Sequence, residues 1–299
     1  MTPGDDVVEG DGPDDDAADA DAAAAAAERR RWTIGDYPAV ARRLAPVSTA
    51  VVDAVERAVG PIAGRDVLDV GVGDGNAAIE AARRGARVAA VDLTPAQVER
   101  ARARIGAERL DIDVRLGDAQ ALPWPTASFD AVVSVFALIF APAPALAAAE
   151  SARVCRPGGV VALTAWAGGP WRRAWQPRAA EVNPMPPPAG ADSDDWGDPA
   201  TAGARLRAAG LEPHVEVRPF AWSFPSVEAG VEFFLTAAGP FVAFREAAAA
   251  RGRAADAEAA VGDALREANE ATDGTVSAPA PYLLALGRIP EEGGPRAGA

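Results

Sequence analysis

The chain has 299 residues, 49% of them hydrophobic and 24% charged, a composition that excludes a disordered or fibrous protein and supports a sizeable core. Its formal charge of -14, with no lysine anywhere, leaves no basic stripe of the kind a nucleic-acid groove demands, so nucleic acid is not an expected partner. One Cys and one His are too few for an internal disulfide scaffold or a Cys/His zinc centre, and the chain reads as cytoplasmic.

The acidity is concentrated at the start, where Asp5, Asp6, Glu9 and seven further acids within the first thirty residues face only Arg29 and Arg30. Residues 1–28 read as an acidic disordered tail without the positive region of a signal peptide, and residues 291–299 as a second disordered tail. The longest uncharged stretch, Ala131 to Ala149, is interrupted by Pro142 and Pro144 and begins as a strand, which argues against a membrane span.

From Asp66 onward the pattern is regular. Val67–Val70 is an apolar strand running into glycines, and Ala77–Arg84 is a helix. Val88–Val91 is a second strand ending at Asp92, and Thr94-Pro95 caps and opens a helix carrying Val98, Ala101 and Ile105. Ile112–Leu116 is the third strand, Ala131–Val135 the fourth, Ala143–Val154 a helix and Val160–Trp166 the fifth strand. Such alternation predicts an α/β fold with a parallel sheet. The expectation then loosens: a loop or lid over Gly168–Pro199, a helix over Thr201–Ala209, and a sixth strand over Val215–Phe224. Two helices near Ser226–Ala250 and Ala254–Glu270 and a last strand over Tyr282–Ile289 follow.

The informative stretch is VLDVGVGDGNAAIEAA, residues 67–82. Glycines 71, 73 and 75 between a strand and a helix permit positive φ and leave bare backbone for a ligand, beside helix amides that suit an anionic group. The dinucleotide fingerprint wants a glycine at position 76, which is Asn76, and no lysine follows for a P-loop. Asp92 at a strand end can accept both hydroxyls of a ribose, and Asp118 in GDAQALPW is placed to accept an exocyclic adenine amine. Asp69, Gly71, Gly73, Asp92, Asp118, Val135 and Phe136 are therefore expected to converge on one elongated ligand at a common sheet edge.

These motifs resemble the class I S-adenosylmethionine-dependent methyltransferases, near the ubiquinone/menaquinone-biosynthesis type. VLDVGVGDG is similar to their first motif and VDLTP to their second-strand acid; GDAQALPWPTASFDAVVS and RVCRPGGVVALTAW match their later motifs. The resemblance covers residues 66–165 or so and implies a three-layer Rossmann-like, seven-stranded, mostly parallel sheet with helices on both faces. It also implies an antiparallel last strand. S-adenosyl-L-methionine is the implied methyl donor, with Asp92 on the ribose, Asp118 and Ala119 at the adenine, Gly71 and Gly73 beside the methionine part, and Leu93 among the cofactor-binding residues. Upstream, WTIGDYPAVARRLAPV resembles the segment such enzymes fold over the cofactor, which nominates Trp32 and Tyr37; an aromatic hook packing the leading helix is the competing role.

On this reading residues 29–290 form one methyltransferase domain, with a core at 60–167 and a helical lid with acceptor elements at 168–200 and 225–279. Aromatics such as Trp166, Trp171, Trp175, Phe220, Trp222, Phe224, Phe233 and Phe234 either line a small-molecule acceptor site or form core. His214 reads as a sheet-edge residue, Cys155 as a packing thiol, and Asp192, Asp194, Asp195 and Asp198 as solvated acids; no metal and no catalytic base is assigned. A dinucleotide oxidoreductase and a non-enzymatic binder are the alternatives.

Overall fold

The computed structural model describes residues 30, 32–184 and 193–291; the tails expected over 1–28 and 291–299 lie outside these residues, apart from Glu291, as does Asp192. The main sheet is built where the sequence is most continuously apolar. β1 (Asp66–Val70), β2 (Arg87–Asp92), β4 (Phe129–Val135) and β5 (Cys155–Trp166) are nearly all buried, as strands covered on both faces must be. β3 (Ile112–Leu116) buries only Val114, in keeping with its place at an edge.

Seven strands are ordered β3-β2-β1-β4-β5-β9-β6, with β9 (Tyr282–Arg288) antiparallel to both β5 and β6 (Glu212–Arg218). The other pairings are parallel, so the expected sheet, antiparallel last strand included, is observed. The chain order reverses between β1 and β4. Loops leaving those two strands diverge to opposite faces and open a crevice at the carboxyl ends of the strands.

Two layers cover the sheet. On one face, α1 (Tyr37–Val59), α2 (Asn76–Arg83) and α3 (Pro95–Ala107) pack Val51, Val55, Ile79 and Ile105 onto Val67, Ala90 and Val133. On the other, α4 (Pro144–Val154) and α6 (Pro199–Ala208) pack Ala147, Val154 and Leu206 with the fully buried Trp196 onto Leu68, Val132 and Leu163. A third cluster joins α5 (Pro170–Val182), α7 (Val227–Ala237) and α9 (Ala254–Ala268) to the two-stranded sheet of β7 (Ala221–Phe224) and β8 (Val276–Pro279). α8 (Gly239–Ala249) lies outside it with Phe241 and Phe244 packed against it.

Three local expectations are corrected. The stretch 215–224 is not one strand: Pro219, which has no N–H to donate, separates β6 from β7, and β7 leaves the main sheet to pair with β8. The segment 226–250 is two helices meeting at 89°, broken where Gly239-Pro240 starts a new helix. Part of the expected loop after β5 is the helix α5, which Pro170 opens and which carries Pro177 within it. Among the described residues no single helix is long and apolar enough to cross a membrane.

Candidate cofactor site

The crevice is assembled by backbone contacts between strand-end loops. Gly71 and Val72 donate their N–H groups to the carbonyl of Val91 at 2.8 and 2.9 Å, which lays the glycine loop against the end of β2. Gly73 N–H donates to Asp92 Oδ2 at 2.9 Å, and Gly117 N–H donates to the Asp92 carbonyl at 2.9 Å. Glycine positions 71 and 73, Asp92 and the turn bearing Asp118 are thereby brought to one place. β4 closes the other side: a Cβ on Gly71 would stand 2.2 Å from the Cβ of Ala137, so the turn after Val135 and Phe136 abuts the loop directly.

Gly71 and Gly73 have φ of +77 and +51, a region L side chains rarely occupy. They differ in what surrounds them. Gly71 is hemmed in by Ala137, whereas a Cβ at Gly73 would meet nothing within 4 Å. The loop therefore shows bare peptide to open space at Gly73, a cradle that fits an extended ligand. Beside it Leu93, 37% exposed, offers an apolar face next to the Asp92 carboxylate.

The two strand-end acids divide the work. Asp92 accepts from Gly73 N–H and from the N–H and hydroxyl of Thr94; burial pushes its pKa up while these donors oppose the rise. Thr94 thus spends its hydroxyl on Asp92 rather than on capping α3 as expected. Asp69 is 2% exposed, and its Oδ2 accepts from Ala78 N–H at 2.9 Å. It caps α2, whose own N-cap, Gly75, has no side chain for the task. Burial, and after the opposing Ala78 bond the charge of Asp92, raise the Asp69 carboxyl to about 7. Asp69 therefore belongs to the framework of the loop, not to its open side.

Asp118 is half-buried, held by the backbone N–H of Gln120 at 2.8 Å, and adjoins Ala119, which packs partly against the α4 face. Phe136 keeps φ of +51, stacks on Trp166 at 4.0 Å, and donates its N–H to Thr164 Oγ1. Ser134 Oγ ties the same turn by donating to Val70 O and accepting from Leu138 N–H. Trp32 lies over α3: its carbonyl accepts from Gln97 Nε2 at 2.9 Å and its ring meets Phe140 at 4.6 Å. Tyr37 begins α1 under the guanidinium of Arg100, 5.7 Å from the ring centroid.

The aromatics differ in burial. Trp171, Trp222, Phe224, Phe233 and Phe234 are buried and pack on one another, with Trp171 and Phe234 stacked at 4.7 Å. Trp166 and Phe220 are half-buried at the end of β5, 5.7 Å apart. His214 is exposed and lies four residues before the end of β6, away from the crevice. Cys155 is a buried free thiol whose pKa burial pushes up to about 12. Among the described residues no group of His, Cys, Asp or Glu is arranged to hold a metal ion.

Asn76, Gln97, Arg104 and Ser134 hold the loops of the crevice by side-chain hydrogen bonds that no motif in the sequence marks. Gln97 alone carried a local signal, a polar side chain in phase with buried Ala101 and Ile105 on one helix face.

Residues 68–163 match the family model described as a methyltransferase domain. An uncharacterised protein of Mycobacterium bovis is 43% identical over 139 residues, which are 46% of this chain and 49% of that protein. The chain thus spans about half the length of the curated mycobacterial relatives it matches. The nocamycin O-methyltransferase of Saccharothrix syringae is 36% identical over 193 residues, 58% of this chain and 66% of that protein. Among solved structures, the YcgJ protein of Bacillus subtilis superposes with a TM-score of 0.56 at 18% identity, covering 82% of this chain and 98% of its own.

The strand order and the loops at the sheet edge define the class I methyltransferase fold, the architecture of enzymes that use S-adenosylmethionine. Within it, the match over residues 68–163 supports methyl transfer from S-adenosylmethionine as the class of chemistry.

Proposed function

We infer that the protein transfers the methyl group of S-adenosylmethionine to a small-molecule acceptor. The observation that carries this reading is the linked trio of Gly73, Asp92 and the Gly117-Asp118 turn around an open backbone cradle. In it Gly71 and Gly73 take the methionine part, Asp92 the ribose hydroxyls, and Leu93, Asp118 and Ala119 the adenine. Val135 and Phe136 form the wall beside the sulfur, and Trp32 and Tyr37 cover the slot. When bound, this group supplies a methyl already activated on a sulfonium, so no residue must protonate the leaving atom.

The chain's contribution is alignment. An acceptor held in line with the methyl–sulfur bond gains up to roughly 7–11 kcal/mol from orientation alone. The Phe136–Trp166 stack and half-buried Phe220 give it an apolar wall at the sulfur end, and α7 to α9 act as a lid over it. A small molecule is the acceptor class because the acidic body repels a phosphate backbone and because a relative is named for acting on nocamycin. A cytoplasmic setting fits the single thiol, Cys155, buried and without a disulfide. A dinucleotide oxidoreductase is disfavoured by Asn76, whose side chain fills the place of the third glycine of that fingerprint with hydrogen bonds of its own.

The test is transfer of a labelled methyl group from S-adenosylmethionine into a low-molecular-mass metabolite fraction. Label in an extractable product supports the reading; label only in protein or RNA, or none, contradicts it. In the same assay series Asp92→Ala is expected to weaken S-adenosylhomocysteine binding by about 1–3 kcal/mol, the loss of two hydroxyl partners, and calorimetry measures it. Unchanged affinity removes Asp92 from the site.

A further inference from the structure

The glycine loop is the most permissive stretch of the crevice, with left-handed glycines at 71, 73 and 75. A ligand needs it held in one geometry, and the sequence supplies the means at the position where the fingerprint departs from glycine. Asn76 Nδ2 donates to the carbonyl of Ala41 in α1 at 2.8 Å, while its Oδ1 accepts from Arg104 Nη1 of α3 at 2.7 Å. The same Arg104 nitrogen donates to the carbonyl and to the carboxylate of Asp74 within the loop, both at 3.0 Å.

The circuit closes on itself. Gln97 and Arg104 stand two turns apart on α3 and so share a face. Gln97 holds the carbonyl of Trp32, and the chain from Trp32 leads within five residues into α1, whose Ala41 returns to Asn76. Gln97 is 3% exposed, and of its buried amide only Nε2, bonded to Trp32, has a partner, while Oε1 has none.

Resting on the functional reading above, we propose that Asn76 is a positioning residue that couples the segment from Trp32 into α1 to the glycine loop, so that the nucleoside slot has its binding geometry only while that segment is docked. The amide of Asn76 donates and accepts at once. A carboxylate at position 76 accepts from Arg104 but cannot donate to Ala41, and glycine does neither. Arg104 acts through Asn76 and Asp74 and is likewise a positioning residue.

The test uses the full chain with S-adenosylhomocysteine as the probe, comparing the parent, Asn76→Ala and Asn76→Asp. Calorimetry reads affinity, and amide hydrogen exchange without ligand reads residues 37–44 and 71–76 separately. Asn76→Ala is expected to weaken binding about tenfold, the loss of one paired amide, and to speed exchange in both segments. Asn76→Asp, which keeps the Arg104 bond and loses only the donor to Ala41, is expected to weaken binding and to speed exchange in both segments too; a loop that stays protected while the start of α1 loosens overturns the proposal. Parental affinity in Asn76→Ala overturns the proposal, and so does faster exchange confined to the loop. If the parent itself takes up no S-adenosylhomocysteine, the functional reading falls, and the exchange arm still decides whether the two segments are coupled.

Discussion

Gly71→Ala is expected to abolish measurable S-adenosylhomocysteine binding and to lower the unfolding free energy by roughly 2–5 kcal/mol. Two costs add. An alanine at φ +77 pays about 1–2 kcal/mol for the left-handed backbone. Its Cβ also lands 2.2 Å from the Cβ of Ala137, and neither atom sits on a flexible side chain, so the backbone of the loop or of the turn after β4 must move, at about 1–3 kcal/mol. That movement separates Gly71 from the Val91 carbonyl it donates to, which is how the loop is laid beside Asp92. Gly73→Ala is the control: it carries the left-handed strain, but its Cβ enters open space, so its stability falls less while its binding still suffers. Denaturant titration of both variants checks the order, and equal stability losses would contradict it.

Asp69→Asn is expected to change how stability depends on pH. The folded carboxyl of Asp69 holds its proton up to about 7, while its ordinary value is 3.8. A raised folded value means that the contribution is fully present below about pH 4 and is lost as pH rises through about 7. The span corresponds to roughly 4 kcal/mol. Asparagine keeps an oxygen for the Ala78 N–H and has no charge to bury. Relative to the parent, the variant is therefore expected to gain roughly that amount between acid and mildly alkaline pH, and urea unfolding across the range measures it. Taking the difference between the two chains removes the carboxylates with lowered values, such as Asp66 beside Arg87 and Glu150 beside Arg153, which pull the other way. A constant difference at all pH values would show that Asp69 is ionised throughout.

Strand ends were legible because each is punctuated. Val70 runs into Gly71, Val91 into Asp92, and Leu116 into Gly117-Asp118, and a parallel sheet needs those breaks at one edge. The parallel sheet followed from the alternation with helices, and its seven strands with an antiparallel last one from the resemblance. Pro219 was the sign that β6 and β7 are separate, but regular alternation of Phe220, Trp222 and Phe224 concealed it. Likewise Gly239-Pro240 marked the break between α7 and α8, and the apolar run through it concealed that. The roles of Asn76 and Arg104 carry no local signal, and Gln97 carries only its phase with the buried face of α3. Their partners are 28 to 65 positions away, and a side-chain bond across that distance leaves no period in the sequence. Asp69 lies in the motif expected to converge on the ligand, and its carboxylate is turned onto α2, whose N-cap glycine has no side chain to cap with.

A crystal structure grown with S-adenosylhomocysteine decides whether one slot at the carboxyl edge of the sheet holds a sulfonium nucleoside. The ribose hydroxyls are expected on Asp92, the purine between Leu93 and Asp118, and the homocysteine chain along Gly71 and Gly73. Nucleoside density elsewhere on the chain, or a slot that stays closed at saturating ligand, would contradict it.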